Sequence, residues 1–429
     1  MKDHEDYPLI PIDRGRGVYL YDFDGNAYID AISSWWVNIF GHSHPRLNQA
    51  LSQQAESLEH VIFAGFSHRP AIELAERLVA ITPTGLDRVF LTDNGSSAVE
   101  IALKMSFHYW QNCGRATKKD FASLSNSYHG ETLGALAVGD VALYKQTYQP
   151  LLMECRIVPS PDCFLRENGE SWEEFSLKQF QFMRAELEQH HESLAAVLVE
   201  PLIQCAGNMR MYHPVYLREL AALCQELDVH LIVDEIAVGC GRTGTMWACQ
   251  QAEISPDFLC VGKGLTAGYL PLSAVLTSDT VYQAFYHDYK TLKAFLHSHS
   301  YTGNPLSCAL GNATLAMFES EQTISANREL ASVMADAFAH LNNHPHVAEV
   351  RQTGMVLAAE MVADKSNRVP YPWQQRRGLK VYQHGLRNGC LIRPLGNVVY
   401  IMPPYVITPD EIRQLADVAT AGIDLATRQ

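Results

Sequence analysis

Long apolar runs and closely spaced cysteine pairs are both missing from the sequence. No uninterrupted apolar run approaches the length that a helix needs to cross a bilayer, and the charged first residues cannot form the apolar centre of a signal peptide. The ten cysteines are scattered, and none belongs to a C-x-x-C pair of the kind found in zinc ribbons. We therefore expect a cytoplasmic protein with reduced thiols, no bound metal and no contact with a membrane.

Positive charge is also scarce. The 429 residues include 33 Lys and Arg against 47 Asp and Glu, which gives a formal net charge of −14. Because a surface that binds nucleic acid usually needs a basic face, this balance argues against a nucleic-acid partner. Apolar residues, in contrast, make up 47% of the chain. That content can bury a large core, divided among two or three domains.

The apolar pattern changes along the chain. Near the start, alternating residues on both sides of Asp24 and Gly25 predict a small antiparallel hairpin. In the middle, short apolar runs alternate with helical patterns, which indicates a mainly parallel sheet covered by helices. These runs occupy residues 88–91, 195–199, 230–234, 258–261 and 272–276. We predict an α/β fold in which residues 46–305 form a large domain, and residues 1–45 and 306–429 form a smaller α+β lobe.

Two ionisable residues follow neighbouring apolar runs of the predicted sheet. Asp234 ends one run, and Lys263 follows the next run along the chain. Because the carboxyl ends of parallel strands face one crevice, we expect the two side chains to lie close together. Such a pair suits pyridoxal phosphate, whose aldehyde forms an imine with a lysine and whose ring nitrogen is kept protonated by an acid. Taken singly, Asp234 could instead cap a helix and Lys263 could be solvated.

A candidate seat for a phosphate lies between the run at 88–91 and a helical pattern from about residue 97. Here Gly95 allows a close approach, Ser96 adds a hydroxyl donor, and the first backbone N–H groups of a helix can face an anion. Ordinary capping of the helix by Asn94 or Ser96 is an equally common use of such residues.

Two further motifs favour ordinary structure over ligand binding. Residues 239–244 match G-x-G-x-x-G, but the motif lies past the middle of the chain and no helical pattern opens after it, so we predict a tight turn. The pairs His42/His44 and His297/His299 have no further Cys or acidic ligand at a recognised spacing. We expect these histidines to make structural hydrogen bonds.

Three other positions could contact a planar cofactor or a substrate. Trp35, beside Trp36, could line an apolar substrate site or lie in the core or a subunit interface. Tyr128 could stack on an aromatic ring or pack within its own loop. Arg393, in an apolar stretch, could bind a carboxylate or form a structural salt bridge.

Together with these residues, several segments make the chain resemble the class III aminotransferases of fold type I. The resemblance extends from about Ile10 to the last predicted helix. Its most telling segments are 33–36 (SSWW), 126–132 (NSYHGET), 209–214 (MRMYHP), 234–236 (DEI), 241–244 (GRTG), 301–305 (YTGNP) and 392–394 (IRP). The resemblance implies an aminotransferase that depends on pyridoxal 5'-phosphate and acts on small molecules.

The resemblance also implies roles for residues around the cofactor. Lys263 would hold it as a Schiff base and move the proton during transfer, and Asp234 would pair with the pyridinium nitrogen. Gly95 and Ser96 would bind the phosphate, and Tyr128 would pack on the ring and contact the substrate.

Further roles implied by the resemblance concern the substrate and a second subunit. Ser300, with His299 and Ser298 beside it, would reach the cofactor phosphate of the neighbouring subunit, so a homodimer is implied. Ser298 and Trp35 would line the substrate site, and Arg393 would hold a substrate carboxylate.

The chain departs from its family at two places. Relatives usually carry a W-H-P-x-T-like segment ahead of the position where this sequence starts, and a Gly-Pro-Thr run where this sequence has Ser298, His299 and Ser300. Two alternatives therefore stay open: another class III activity, such as an ω-aminotransferase, or a protein that binds pyridoxal phosphate but has impaired turnover.

Overall fold

The chain folds into two compact units. A computed structural model describes residues 2–7 and 9–428. Met1 and Gln429, the two ends of the predicted smaller lobe, therefore lie outside the described residues. One unit comprises the described residues up to Gln49 and from Ala326 onward, and the other comprises Ala50–Ser325. The sequence-based boundaries lay at residues 45/46 and 305/306. The second boundary differs because the helix that begins at Pro305 packs on the helix Arg69–Ile81 of the larger unit.

The strands are short, and most of those in the larger unit are apolar. In chain order they are β1 (Ile12–Arg16), β2 (Tyr19–Asp22), β3 (Ala27–Asp30), β4 (Arg88–Thr92), β5 (Asp120–Leu124), β6 (Arg156–Val158), β7 (Leu194–Val199), β8 (Ile203–Gln204), β9 (Arg210–Met211), β10 (His230–Asp234), β11 (Phe258–Val261), β12 (Ser273–Thr277), β13 (Val347–Thr353), β14 (Val356–Asp364), β15 (Val369–Pro370), β16 (Cys390–Leu391) and β17 (Val398–Ile401).

The right-handed α-helices range from single turns to five turns. They are α1 (Asp3–Asp6), α2 (Pro45–Ala55), α3 (Arg69–Ile81), α4 (Gly95–Asn112), α5 (Leu133–Val138), α6 (Ala142–Lys145), α7 (Trp172–His190), α8 (Pro214–Glu226), α9 (Asp279–Gln283), α10 (Pro305–Ser320), α11 (Thr323–Phe338), α12 (Arg377–Arg387) and α13 (Pro409–Thr427). No helix within residues 2–7 and 9–428 combines the length and apolar character needed to span a membrane.

A seven-stranded sheet forms the centre of the larger unit within its described residues. Its strand order is β4-β12-β11-β10-β7-β5-β6. The pairs from β11 to β6 are parallel, whereas β12 runs antiparallel to both of its neighbours. The predicted α/β fold with a mainly parallel sheet is confirmed.

The core of the larger unit explains why its central strands lack the alternating pattern of half-exposed strands. Every residue of β7, β10 and β11 is buried, and α4 packs across strands β7, β10, β11 and β12. Strands covered on both faces bury apolar side chains at successive positions, each contributing about 1.5–3 kcal/mol. This packing holds the ends of β10 and β11 side by side.

The smaller unit combines two sheets with helices from the end of the chain. The predicted hairpin at Asp24 and Gly25 is confirmed, because β2 and β3 pair antiparallel and Gly25 has a φ of +85°. β16 extends this sheet by pairing parallel with β3. β16 ends at Leu391, and Arg393 lies in the loop after it.

Candidate active site

Asp234 and Lys263 lie at neighbouring strand ends. Asp234 is the last residue of β10 and pairs in register with Cys260 of β11, and Lys263 follows the end of β11 by two residues. Lys263 opens a short 3-10 turn with a φ of +43°. The strand pattern predicted this juxtaposition, which the parallel pairing of β10 and β11 produces.

The environment of Lys263 favours a reactive amine. Removal from water lowers the pKa of Lys263, against the opposing attraction of the Asp234, Cys205 and Glu200 side chains. An amine must lose its proton before it can attack a carbonyl, and burial supplies that condition.

His129 holds the Asp234 carboxylate in place. Its Nδ1 lies 2.8 Å from Oδ2 of Asp234, and both side chains are buried. The other carboxylate oxygen of Asp234 accepts the backbone N–H of Ile236 at 3.0 Å. Nε2 of His129 has no hydrogen-bond partner within the described residues. We therefore assign the ring proton to Nδ1, which donates to Asp234, because a proton on Nε2 would leave a buried donor unpaired.

Glu200 is a second buried carboxyl group beside this pair. It follows β7 directly and accepts the backbone N–H groups of Tyr128 at 3.0 Å and Cys205 at 3.1 Å. Burial raises the pKa of Glu200 to about 7; His129 opposes this rise and Asp234 adds to it. Glu200 thereby fixes the segment that carries Tyr128 and His129.

Sequence reasoning missed both Glu200 and His129. The available signal was position: Glu200 directly follows a fully apolar run, as Asp234 does, and His129 lies next to Tyr128 in the segment 126–132. The carboxyl ends of neighbouring parallel strands lie at the same edge of a sheet, so Glu200 was as good a candidate for the active site as Asp234.

The predicted phosphate seat lies at the start of α4. Asn94 caps the helix by accepting the N–H of Ser97 at 3.0 Å, so the capping alternative is present. It leaves the N–H groups of Gly95 and Ser96 at the first turn, where the helix has no carbonyl to pair with them. A Cβ on Gly95 would lie 2.8 Å from Cγ2 of Ile236, so only glycine fits between this turn and the residues that follow Asp234.

Tyr128 lies half-buried at the same edge of the sheet. Its hydroxyl donates to Glu131 at 3.1 Å, and its ring makes an edge contact with Tyr144 at a centroid distance of 5.5 Å. Its N–H is held by Glu200. Stacking of the Tyr128 ring on a cofactor stays a prediction.

A chain of hydrogen bonds links the segment 297–300 to Asp93, which lies close in sequence to the predicted phosphate seat. Nδ1 of His299 lies 2.8 Å from Oδ2 of Asp93, Nε2 of His299 lies 3.1 Å from Nε2 of His297, and Nδ1 of His297 lies 2.8 Å from Nζ of Lys104. Both nitrogens of His299 are therefore engaged within its own chain, whereas Ser298 and Ser300 are exposed. No group of three or more His, Cys, Asp or Glu side chains arranged for a metal occurs in the described part of the chain.

The two tryptophans of the SSWW segment have different environments within the smaller unit. Trp36 is buried, and its indole N–H donates to the Tyr400 hydroxyl at 3.1 Å. Trp35 is exposed, and the Arg393 guanidinium lies 4.5 Å from its ring centroid. Carboxylate binding by Arg393 stays a prediction.

The glycine-rich segment 239–244 forms the predicted tight turn. Cys240, Gly241 and Gly244 all have positive φ angles, and a Cβ on Gly239 would lie 2.8 Å from the carbonyl oxygen of Glu235. The segment therefore turns too tightly to open a helix, and the nucleotide-binding alternative has no support.

The family model for aminotransferase class-III matches residues 1–421. The chain belongs to the class-III aminotransferase family. This assignment accounts for the seven-stranded sheet and for the amine and carboxylate at its edge.

Relatives cover almost the entire chain. The sequence is 47% identical to the adenosylmethionine-8-amino-7-oxononanoate aminotransferase of Helicobacter pylori, over 99% of this chain and 93% of the relative. It is 42% identical to the protein of that name from Aquifex aeolicus, over 97% and 92% of the two chains.

Solved structures of class-III aminotransferases superpose closely on this fold. The crystal structure of adenosylmethionine-8-amino-7-oxononanoate aminotransferase from Methanocaldococcus jannaschii gives a TM-score of 0.94 at 37% identity, covering 99% of this chain and 95% of that one. An omega transaminase from Pseudomonas jessenii in complex with PMP also gives 0.94, at 28% identity and with 99% and 94% coverage.

Class-III aminotransferases use pyridoxal phosphate, and the larger unit fits that cofactor. Lys263 supplies an amine with a lowered pKa, and Asp234 supplies a carboxylate that is oriented by His129. The start of α4 supplies N–H donors at a glycine whose missing Cβ lets the turn pack closely against Ile236. These three features match the aldehyde, the ring nitrogen and the phosphate of the cofactor.

Proposed function

We propose that this protein transfers an amino group from S-adenosylmethionine to 8-amino-7-oxononanoate, giving 7,8-diaminononanoate in biotin biosynthesis. The observation that carries the substrate assignment is the 47% identity to the Helicobacter pylori enzyme over nearly the whole chain. The exposed Arg393 beside Trp35 supports it, because the acceptor has a carboxylate and an apolar chain.

Lys263 performs the proton transfer in this proposal. When bound, pyridoxal phosphate supplies an aldehyde that binds amines and a ring that takes up electron density. Lys263 Nζ would hold the cofactor at its aldehyde, and the same amine would accept the proton from the substrate carbon. Burial lowers its pKa, which favours the neutral form of the amine that can act as a base.

Asp234 holds a proton at the ring nitrogen. The N–H of His129 and the backbone N–H of Ile236 each bind one of its oxygens, so the carboxylate cannot rotate freely. The N–H groups of Gly95 and Ser96 would receive the phosphate.

A second copy of the chain is part of the proposal. The segment 289–301 exposes several large apolar side chains, and Leu296 is 87% exposed. Exposed apolar side chains grouped on one segment support our proposal that this segment lies at a subunit interface. The neighbouring hydroxyls of Ser298 and Ser300 are exposed on the same segment and would contact the cofactor and substrate of the partner subunit. The imidazole of His299 would hold this segment in place and so help it to reach the cofactor of the partner subunit.

Trp35 and Arg393 would bind the acceptor. The guanidinium stacked on the indole leaves its N–H edge for a carboxylate, and the ring provides an apolar wall. We also propose that Tyr128 contacts the substrate.

A half-reaction assay tests the donor. The holoenzyme is mixed with S-adenosylmethionine or with lysine, and the absorbance of the bound cofactor is followed. We expect S-adenosylmethionine to bleach the band, whereas bleaching by lysine alone would make lysine the donor. Bleaching by neither would favour cofactor binding without turnover. As a control, Lys263→Ala should lack the imine absorbance, and persistence of the band would show that another lysine holds the cofactor.

A substitution of Arg393 tests the acceptor site. Arg393→Ala should weaken binding of 8-amino-7-oxononanoate more than binding of the donor, because the lost guanidinium faces the acceptor carboxylate. An equal loss for both substrates would remove the proposed role. Turnover of simple ω-amines in place of the oxononanoate would favour the ω-aminotransferase alternative, which the Pseudomonas jessenii structure makes worth including.

A further inference from the structure

The turn that carries Trp35 has an unusual backbone. Ser33, Ser34, Trp35 and Trp36 have φ angles of 50°, 45°, 74° and 73°, so four consecutive residues lie in the left-handed region. For side chains other than glycine this conformation costs about 1–2 kcal/mol per residue. Contacts elsewhere must therefore hold the turn in place.

A single buried carboxylate supplies much of that support. Asp30, the last residue of β3, has no exposed surface. Its Oδ1 accepts the backbone N–H groups of Ser34 at 3.0 Å and Ile32 at 3.3 Å. Its Oδ2 accepts the Ser34 hydroxyl at 2.7 Å and lies 3.0 Å from Nε2 of His42.

His42 fixes the carboxylate from the other side. Its Nδ1 lies 3.0 Å from the Asn38 amide nitrogen, which can only donate, so the ring proton belongs on Nε2 and points to Asp30. The backbone of His42 exchanges two hydrogen bonds with Gly17, at 2.7 and 3.1 Å. A Cβ on Gly15 would lie 2.6 Å from the His42 Cβ, so the imidazole packs directly against this strand. Asp30 is thus oriented by a rigid group.

The other residues of the turn are held on their far side. The Ser33 hydroxyl donates to the Met402 carbonyl at 2.8 Å, and Trp36 donates to Tyr400. With its neighbours fixed in this way, the exposed indole of Trp35 is placed under the Arg393 guanidinium. The direction of the Trp35 side chain depends on the left-handed backbone, because a right-handed turn would point it elsewhere.

We propose that Asp30 and His42 are positioning residues, which hold the Ser33–Trp36 turn left-handed and thereby set the Trp35–Arg393 pair for a carboxylate-bearing acceptor. The proposal rests on the proposed function for its choice of acceptor. Because Asp30 and His42 hold the turn that carries Trp35, we expect them to affect acceptor binding rather than cofactor capture.

Asp30→Asn is the central variant of the test. The amide keeps the shape of the carboxylate but replaces one acceptor with a donor, so at least one of the four bonds is lost. We expect the KM for 8-amino-7-oxononanoate to rise about tenfold, the effect of losing a hydrogen bond to a charged group. The value of kcat and the cofactor absorbance should stay close to those of the parent enzyme.

A rescue variant separates positioning from general stability. Glycine adopts the left-handed region without strain, so Asp30→Asn combined with Ser34→Gly should recover part of the acceptor KM. Ser34→Ala, which keeps the carboxylate, is the milder variant that decides the matter if Asp30→Asn does not fold. An unchanged acceptor KM in folded Asp30→Asn and Ser34→Ala proteins overturns the proposal.

A readout without substrate separates this proposal from the proposed function. Backbone hydrogen exchange at residues 31–37 should be faster in Asp30→Asn and Ser34→Ala than in the parent, with exchange around Lys263 unchanged. If the parent enzyme does not turn over the oxononanoate, the proposed function fails. Faster exchange at residues 31–37 in the variants would still support the positioning of the turn by Asp30 and His42. Unchanged exchange at these residues overturns it.

Discussion

Glu200→Gln should change how the stability of this protein depends on pH. Burial raises the pKa of Glu200 from 4.5 to about 7 in the folded chain. Below pH 4.5 the group is neutral in both states and carries no penalty. Above pH 7 the folded chain holds a buried carboxylate, so stability is lost as pH rises between these values. The difference in pKa corresponds to about 3 kcal/mol.

The glutamine side chain removes this titration at a fixed cost. Its amide has one oxygen, so either Tyr128 or Cys205 loses the acceptor for its N–H. That loss destabilises the variant by about 1–3 kcal/mol at every pH. We therefore expect the variant to be less stable than the parent at pH 5, and the gap to shrink by about 3 kcal/mol, or to reverse, by pH 8.

Urea unfolding of both holoenzymes at pH 5 and pH 8 measures the effect. Glu235→Gln is a matched control, because burial also raises the pKa of Glu235 to about 7 and its oxygens accept the N–H groups of Ala248 and Cys249. It should show a similar pH dependence without disturbing the Tyr128 segment. A parent-to-variant gap that is the same at pH 5 and pH 8 would refute the reasoning for Glu200.

Two further substitutions test the cofactor site. Gly95→Ala places a Cβ against Ile236, so we expect weaker binding of pyridoxal phosphate to the apoenzyme and a loss of about 1–3 kcal/mol in stability. Adding Ile236→Val should recover part of the affinity and part of the stability. Unchanged cofactor affinity in Gly95→Ala would contradict the proposed phosphate seat. His129→Leu removes the donor to Asp234 and should lower kcat about tenfold or more. His129→Asn, whose amide nitrogen can replace Nδ1, should recover much of that loss, and equal rates for the two variants would show that the hydrogen bond is unimportant.

Much of the larger unit could be predicted from the sequence. Short apolar runs marked β7, β10 and β11 to within a residue or two, because strands buried on both faces carry mainly apolar residues. The alternation of those runs with helical patterns determined a mainly parallel sheet. That arrangement placed Asp234 and Lys263 at one edge, since parallel strands all end on the same side.

The contacts that orient these residues could not be predicted. His129 and Asp234 are 105 positions apart, and Tyr128 and Glu200 are 72 apart. Periodicity reports which face of an element is buried, but it does not report which side chain lies opposite. Only the sheet order β10-β7-β5 brings Glu200, after β7, and His129, after β5, to the Asp234 carboxylate.

The smaller unit shows the same limit in its backbone. Serine and tryptophan have no preference for left-handed conformations, so the residue types at 33–36 do not predict the left-handed turn. The sequence alone determined that a tryptophan pair follows a hairpin, and its pattern did not show which of the two is buried. The tertiary structure distinguished them, because Asp30 and His42, together with Tyr400 from far along the chain, stabilise a backbone that buries Trp36 and exposes Trp35.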